Sequence, residues 1–204
     1  MASFDLVDRG GNPIHPAQGS RSNGGLLVTP AGSSFDEAVD RGNVYITANQ
    51  TTVTTQAGLS ATTPALTIAN VAGSGKRVKL WYAGCQTLVA WTAAATVWLA
   101  QGGSAVAADV TQTTLATVRN AKTGAGTQPP GVAALAVATL PAVPVAISIL
   151  GAGLTGAITV QTGIVPFGRW YDGALQLPEG FNWSIQTSTA GTLFCEFIFE
   201  VVDK

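Results

Sequence analysis

Two runs of strict alternation near the end of the chain constrain its fold more than anything else in it. Phe181, Trp183, Ile185 and Thr187 alternate with Asn182, Ser184, Gln186 and Ser188. After the turn at Ala190-Gly191, Leu193, Cys195, Phe197, Phe199 and Val201 alternate with Phe194, Glu196, Ile198, Glu200 and Val202. A period of two sends successive side chains to opposite faces of a strand and does not fit an amphipathic helix. Aromatic and β-branched side chains also suit a pleated surface. The first run is expected to bury one face and wet the other. The second carries apolar residues on both faces, so it is expected deep in a sheet and covered on both sides, in part by another subunit.

Upstream, Val44-Tyr45-Ile46-Thr47, Ala65-Leu66-Thr67-Ile68 and Val78-Lys79-Leu80-Trp81-Tyr82 read as strands. So do residues 87–91, 96–100, 143–150 and 157–161, with the Thr-rich 111–119 as a weaker case. Residues 120–131 hold Gly124, Gly126, Pro129, Pro130 and Gly131 and read as a loop. No segment keeps a helical period, although the Ala-rich 132–138 suits a helical turn or two. Short strands spaced by roughly 8–15 residues with Gly-rich turns point to a sandwich or barrel. The reading is an all-β chain: a jelly-roll-like antiparallel β-sandwich over residues 43–204, with an extended N-terminal arm over residues 1–42.

The arm differs in composition. It holds Asp5, Asp8, Asp36, Glu37 and Asp40 with Arg9, Arg21 and Arg41, and Gly10-Gly11-Asn12-Pro13, Pro16, Gly19 and Asn23-Gly24-Gly25 punctuate it. Repeated Gly and Pro argue against helix. Spaced apolar anchors remain: Phe4, Leu6, Val7, Ile14, Leu26, Leu27, Val28 and Phe35. Anchors on flexible joints suit a segment that orders on another chain, with Leu26-Leu27-Val28 adding a strand to an exposed edge. The alternative is an arm that packs back on its own domain.

The C-terminal stretch also carries a resemblance. The turn Leu177-Pro178-Glu179-Gly180, the alternating strand, Ser188-Thr189-Ala190-Gly191-Thr192 and a closing strand ending in acids resemble the end of the jelly-roll in small structural proteins of tailed-phage virions. Residues 63–80, with Gly73-Ser74-Gly75 before Lys76-Arg77-Val78-Lys79-Leu80, are similar to an early strand pair in such proteins. The resemblance spans residues 43–204. It implies a capsid cement or decoration protein on the virion surface, made in the host cytoplasm. It also implies a homo-oligomer, a trimer, in contact with the major capsid protein or another virion protein. There are no catalytic residues in the family pattern to carry over.

Charge agrees with burial between subunits. Only 10% of residues are charged, against about 25% for soluble domains, and large uncharged surfaces usually mark interfaces. The net charge is −1 and the ten basic residues are scattered, which argues against a nucleic-acid partner. No charged residue lies between Lys122 and Arg169. Pro141, Pro144, Gly151 and Gly153 interrupt that stretch, so it reads as a loop and a buried strand rather than a membrane span.

Reactive groupings are sparse. Gly151-Ala152-Gly153-Leu154-Thr155-Gly156 fits G-x-G-x-x-G, but a strand-like Ala157-Ile158-Thr159-Val160 follows where a dinucleotide site needs a helix. His15, the one histidine, lies in the arm. Glu196 and Glu200 sit about 13 Å apart by strand rise, too far to share a site, and suit a rim or subunit contact. Cys85 and Cys195 lie in apolar sequence and read as small buried hydrophobes, with a disulfide sterically possible. No cofactor or metal site is expected. Trp81, Trp91, Trp98, Trp170 and Trp183 read as core or interface anchors. An alternative function is a tail or head-fibre module that binds host glycans through tryptophans and through loop residues 101–104 and 122–130. A small jelly-roll hydrolase is the third reading, and no enzyme is expected.

Overall fold

The computed structural model describes residues 34–87, 91, 93–103, 111–153 and 166–204. A helix α1 (Ser34–Asp40) precedes twelve strands. They are β1 (Val44–Ala48), β2 (Val53–Thr54), β3 (Thr67–Asn70), β4 (Lys76–Thr87), β5 (Ala95–Gly103), β6 (Thr111–Leu115), β7 (Thr117–Asn120), β8 (Val132–Thr139), β9 (Val145–Gly153), β10 (Pro166–Leu177), β11 (Phe181–Thr187) and β12 (Thr192–Asp203).

Two antiparallel sheets pack as a sandwich. One has the order β10-β4-β12-β1-β7, with β2 also pairing to β12; the other has the order β6-β8-β3-β11-β5-β9. Within them, β1-β12-β4-β10 faces β3-β11-β5-β9, and the last two strands insert between earlier neighbours. That is the double Greek key of a jelly roll. Strands β6, β7 and β8 are an insertion between β5 and β9; β7 extends the first sheet beside β1, and β8 and β6 extend the second beside β3.

The alternation in the sequence sets the core. Leu193, Cys195, Phe197, Phe199 and Val201 of β12 all face inward, against Val78, Leu80, Val97, Leu99, Trp183 and Ile185. Tyr45 of β1 stacks on Phe199 with ring centroids 5.8 Å apart. The register agrees, since Tyr45 is opposite Phe199 and Thr47 opposite Phe197. As expected, β12 lies inside its sheet, between β4 and β1.

Four local readings change. First, residues 34–40 are helical although they fall in a Gly/Pro-rich region. Ser33 to Arg41 contains neither residue, Asp36 and Glu37 occupy the first turn, and acids there oppose the helix dipole favourably. Gly42, at φ +78°, ends the helix and its N–H donates to Val39 O at 2.8 Å, a glycine cap. Second, the Ala-rich 132–138 is strand β8, because β3 and β6 pair with it on either side and sheet pairing overrides alanine's helix propensity. Third, β11 is not wet on its polar face: Asn182, Ser184 and Gln186 are buried. The connection before β3 folds over them, and Gln186 exchanges hydrogen bonds with the Ser60 backbone at 3.1 and 3.2 Å. Fourth, the charge-free strand β9 is not buried; among the described residues it is the outermost strand of its sheet, and most of its residues are exposed.

The chain divides into two compact units, Met1–Glu37 and Ala38–Lys204. Of the anchors, Phe35 lies in α1 and is half-buried. Phe4, Leu6, Val7, Ile14, Leu26, Leu27 and Val28 lie outside the described residues, as do His15 and the strand expected at 157–161.

Candidate functional site: an apolar edge and an aromatic sheet face

Strand β9 ends the strand order of its sheet among the described residues. It pairs with β5, and among the described residues no strand pairs with its other side. Val143, Val145, Ile147 and Ile149 are 59%, 67%, 42% and 61% exposed. Exposed edges are usually blunted by charge or proline. Here Pro144 precedes the strand and no charge lies on it. Two register shifts interrupt its ladder with β5, and bulges of this kind bend and twist an edge. The edge is held to its neighbour by Tyr171 of β10, whose hydroxyl is 2.8 Å from Ser148 Oγ. The Arg169 guanidinium lies over the Tyr171 ring at 5.7 Å. Hollows of about 320 Å³ and 520 Å³ flank β9, the first lined by Gly102, Val143, Val145 and Phe181, the second by Trp98, Ile149 and Arg169.

The outer face of the first sheet holds a second grouping. Cross-strand register places Trp170, Tyr82, Ile198 and Ile46 in one row across β10, β4, β12 and β1. The next row is Gly168, Gly84, Glu196 and Ala48. Trp170 and Tyr82 rings are tilted by 48° with centroids 5.1 Å apart. Gly84 and Gly168 are required by this contact, because a Cβ on either would collide with the Tyr82 ring. A depression of about 200 Å³ lies beside it, lined by Tyr82, Gln86, Phe194, Glu196 and Ala48 among others. Burial, then the nearby Glu196 charge, raises the Tyr82 phenol above its ordinary value.

The acids part company here. Glu196 is exposed, whereas Glu200 is 1% exposed, not at a rim. Its carboxylate lies 3.5 Å from Lys79 Nζ and 3.7 Å from an Arg41 nitrogen, cations that offset the cost of burying the charge. Among the tryptophans, Trp183 and Trp81 are buried, while Trp170 is 54% exposed. The glycines of the G-x-G motif serve packing: Gly151 and Gly153 in β9 admit the rings of Phe167 and Trp91, which lie 5.8 Å apart.

Cys85 and Cys195 are free, buried and directly opposite one another across β4 and β12. Burial, with Cys85 beside it and Glu196 nearby, pushes the Cys195 thiol well above its ordinary value. A raised thiol stays neutral in the folded chain while the unfolded chain ionises. Its contribution is complete below the unfolded value and is lost as pH rises from there through the folded value. Stability should therefore slope downward as pH rises above the unfolded thiol's ordinary value, through this group alone. Urea titrations at a series of pH values should show that slope, and Cys195→Ala should flatten it.

Sequence reasoning missed the Tyr82–Trp170 pairing, for which the glycines at 84 and 168 were the available signal. Among the described residues no three His, Cys, Asp or Glu side chains gather as a metal site, and no helix is long and apolar enough to cross a membrane. No protein-family profile, curated protein or solved structure matches this chain.

Proposed function

We propose that this chain is a structural assembly protein that acts by binding: a cement or decoration protein of a tailed-phage capsid, associated with copies of itself as a trimer and attached to the shell by its N-terminal arm. The observation that carries the reading is the charge-free strand β9, an end strand among the described residues, with Val143, Val145, Ile147 and Ile149 exposed. Water contact with such a surface is unfavourable, and covering it with a like surface removes apolar area without stranding a charge. The shifts in the β9 ladder favour side-chain packing around a closed axis over a continued sheet. The low charged fraction of 10% and the resemblance of residues 43–204 add support.

Sedimentation of the full chain should give a species larger than 20.7 kDa at micromolar concentration. Val145→Lys with Ile149→Lys should return it to the monomer with a fold stability changed by under about 0.5 kcal/mol, since both sites are exposed. A wild-type protein that sediments only as a monomer rejects self-assembly. Deleting residues 2–30 should leave a folded, self-associating sandwich that no longer stays on shells. Truncated protein that unfolds puts the arm in the core, and truncated protein that decorates shells at wild-type affinity removes the arm from attachment. Electron microscopy of particles carrying labelled protein should show density spread over the head; density confined to the tail favours the fibre reading.

A further inference from the structure

The aromatic face of the first sheet has no part in the assembly reading, and its chemistry points elsewhere. We propose that Tyr82 and Trp170 form a carbohydrate-binding platform that takes a pyranose ring against their aromatic faces, with Glu196 and Gln86 hydrogen-bonding its hydroxyls.

The platform is built by the backbone. Gly84 and Gly168 are opposite one another on β4 and β10. Neither has a side chain to lift Tyr82 off the sheet, so its ring leans across both strands, one edge toward Gly84 and the other toward Gly168. The other side of the ring is left half-exposed. Trp170, its cross-strand partner, stands beside it at 48° and is itself 54% exposed. The two tilted rings present adjoining, partly exposed aromatic surfaces, and the C–H face of a pyranose is an apolar surface that packs on such rings. The depression of about 200 Å³ next to Tyr82 places polar groups where hydroxyls of that sugar would reach.

Glu196 decides between a sugar and an apolar protein surface. It lies opposite Gly84 in register, one row from the aromatic pair, and no cation pairs with it among the described residues. Covering it with an apolar protein surface would bury a carboxylate without a partner, which is costly. A sugar brings hydroxyl donors to the carboxylate together with an apolar face for the rings. Gln86, two residues beyond Gly84 on the same face of β4, adds one donor and one acceptor group.

Saturation-transfer NMR on the full chain with methyl β-D-glucopyranoside, methyl β-D-galactopyranoside and methyl N-acetyl-β-D-glucosaminide tests this. Transfer to the ring C–H protons of at least one glycoside is expected, with quenching or shift of tryptophan fluorescence on titration. Trp170→Ala should weaken binding roughly tenfold or more with sedimentation unchanged, and Glu196→Gln should weaken it while leaving the C–H transfer pattern. Absence of transfer from all three glycosides overturns the proposal. So does equal affinity in Trp170→Ala, and so does a change in sedimentation in that variant, which would make the face a subunit contact. The β9 lysine substitutions report on self-assembly alone, so failure of one idea is distinguishable from failure of the other.

Discussion

Phe197→Ala is expected to destabilise the sandwich by about 3–5 kcal/mol. Phe197 is fully buried on β12, with β1 paired on one side and β4 on the other. Its neighbours in register are Thr47 and Ala83, neither of which can swing a large side chain into the space left behind. Both sheets are fixed by their ladders, so the cavity cannot collapse, and the loss combines the transfer energy of the ring with the cost of the void. The urea midpoint should fall with little change in the slope of the transition. A shift too small to measure would show that Phe197 is not part of the core.

Gly103→Ala should cost roughly 3–5 kcal/mol, from backbone strain and overpacking together. Gly103 closes β5 at φ +110°, a conformation that side-chain-bearing residues rarely adopt. A Cβ there would lie 2.5 Å from Gly180 O and 2.8 Å from Phe181 Cα. Those are backbone atoms of the turn into β11, paired with β5 at this point, and cannot rotate away as a side-chain tip can. Gly124→Ala is the matched control. Its φ is +70° and nothing lies within 4 Å of the added carbon, so only the left-handed backbone cost of about 1–2 kcal/mol applies. Equal losses in the two variants would show that the close approach at Gly103 contributes nothing.

The self-assembly and sugar proposals rest on different surfaces. Among the described residues strand β9 ends the second sheet, while Tyr82 and Trp170 lie on β4 and β10 in the first. A protein with both would hold neighbours through its edge and present a ligand face outward from its sheet, with no catalytic step in either role. That combination brings together the cement reading and its fibre alternative without requiring one site to do both tasks.

The alternation at 181–202 was enough, in the sequence alone, to determine β structure and the inward set on β12, because a period of two has one geometric meaning; the spacing of the short strands upstream narrowed the class to a sandwich or barrel. Gly124, Gly126, Pro129, Pro130 and Gly131 likewise marked the loop at 120–131, where they leave no continuous ladder. Other features were decided only when distant segments met. The polar face of β11 is buried because the Ser60 region, far away in sequence, folds over it. Glu200 is buried because Arg41 and Lys79 arrive from other elements to offset its charge. The charge-free run after Lys122 gave hydrophobicity without address: whether β9 lay at the centre or the edge depends on strand order, which local pattern does not encode. Tyr82 and Trp170 are 88 positions apart in number and form a pair because β4 and β10 are neighbours in register. Period and turn chemistry are local and so legible in sequence; sheet order and the meeting of faces follow from how all the apolar faces are buried together, and only the folded chain sets them.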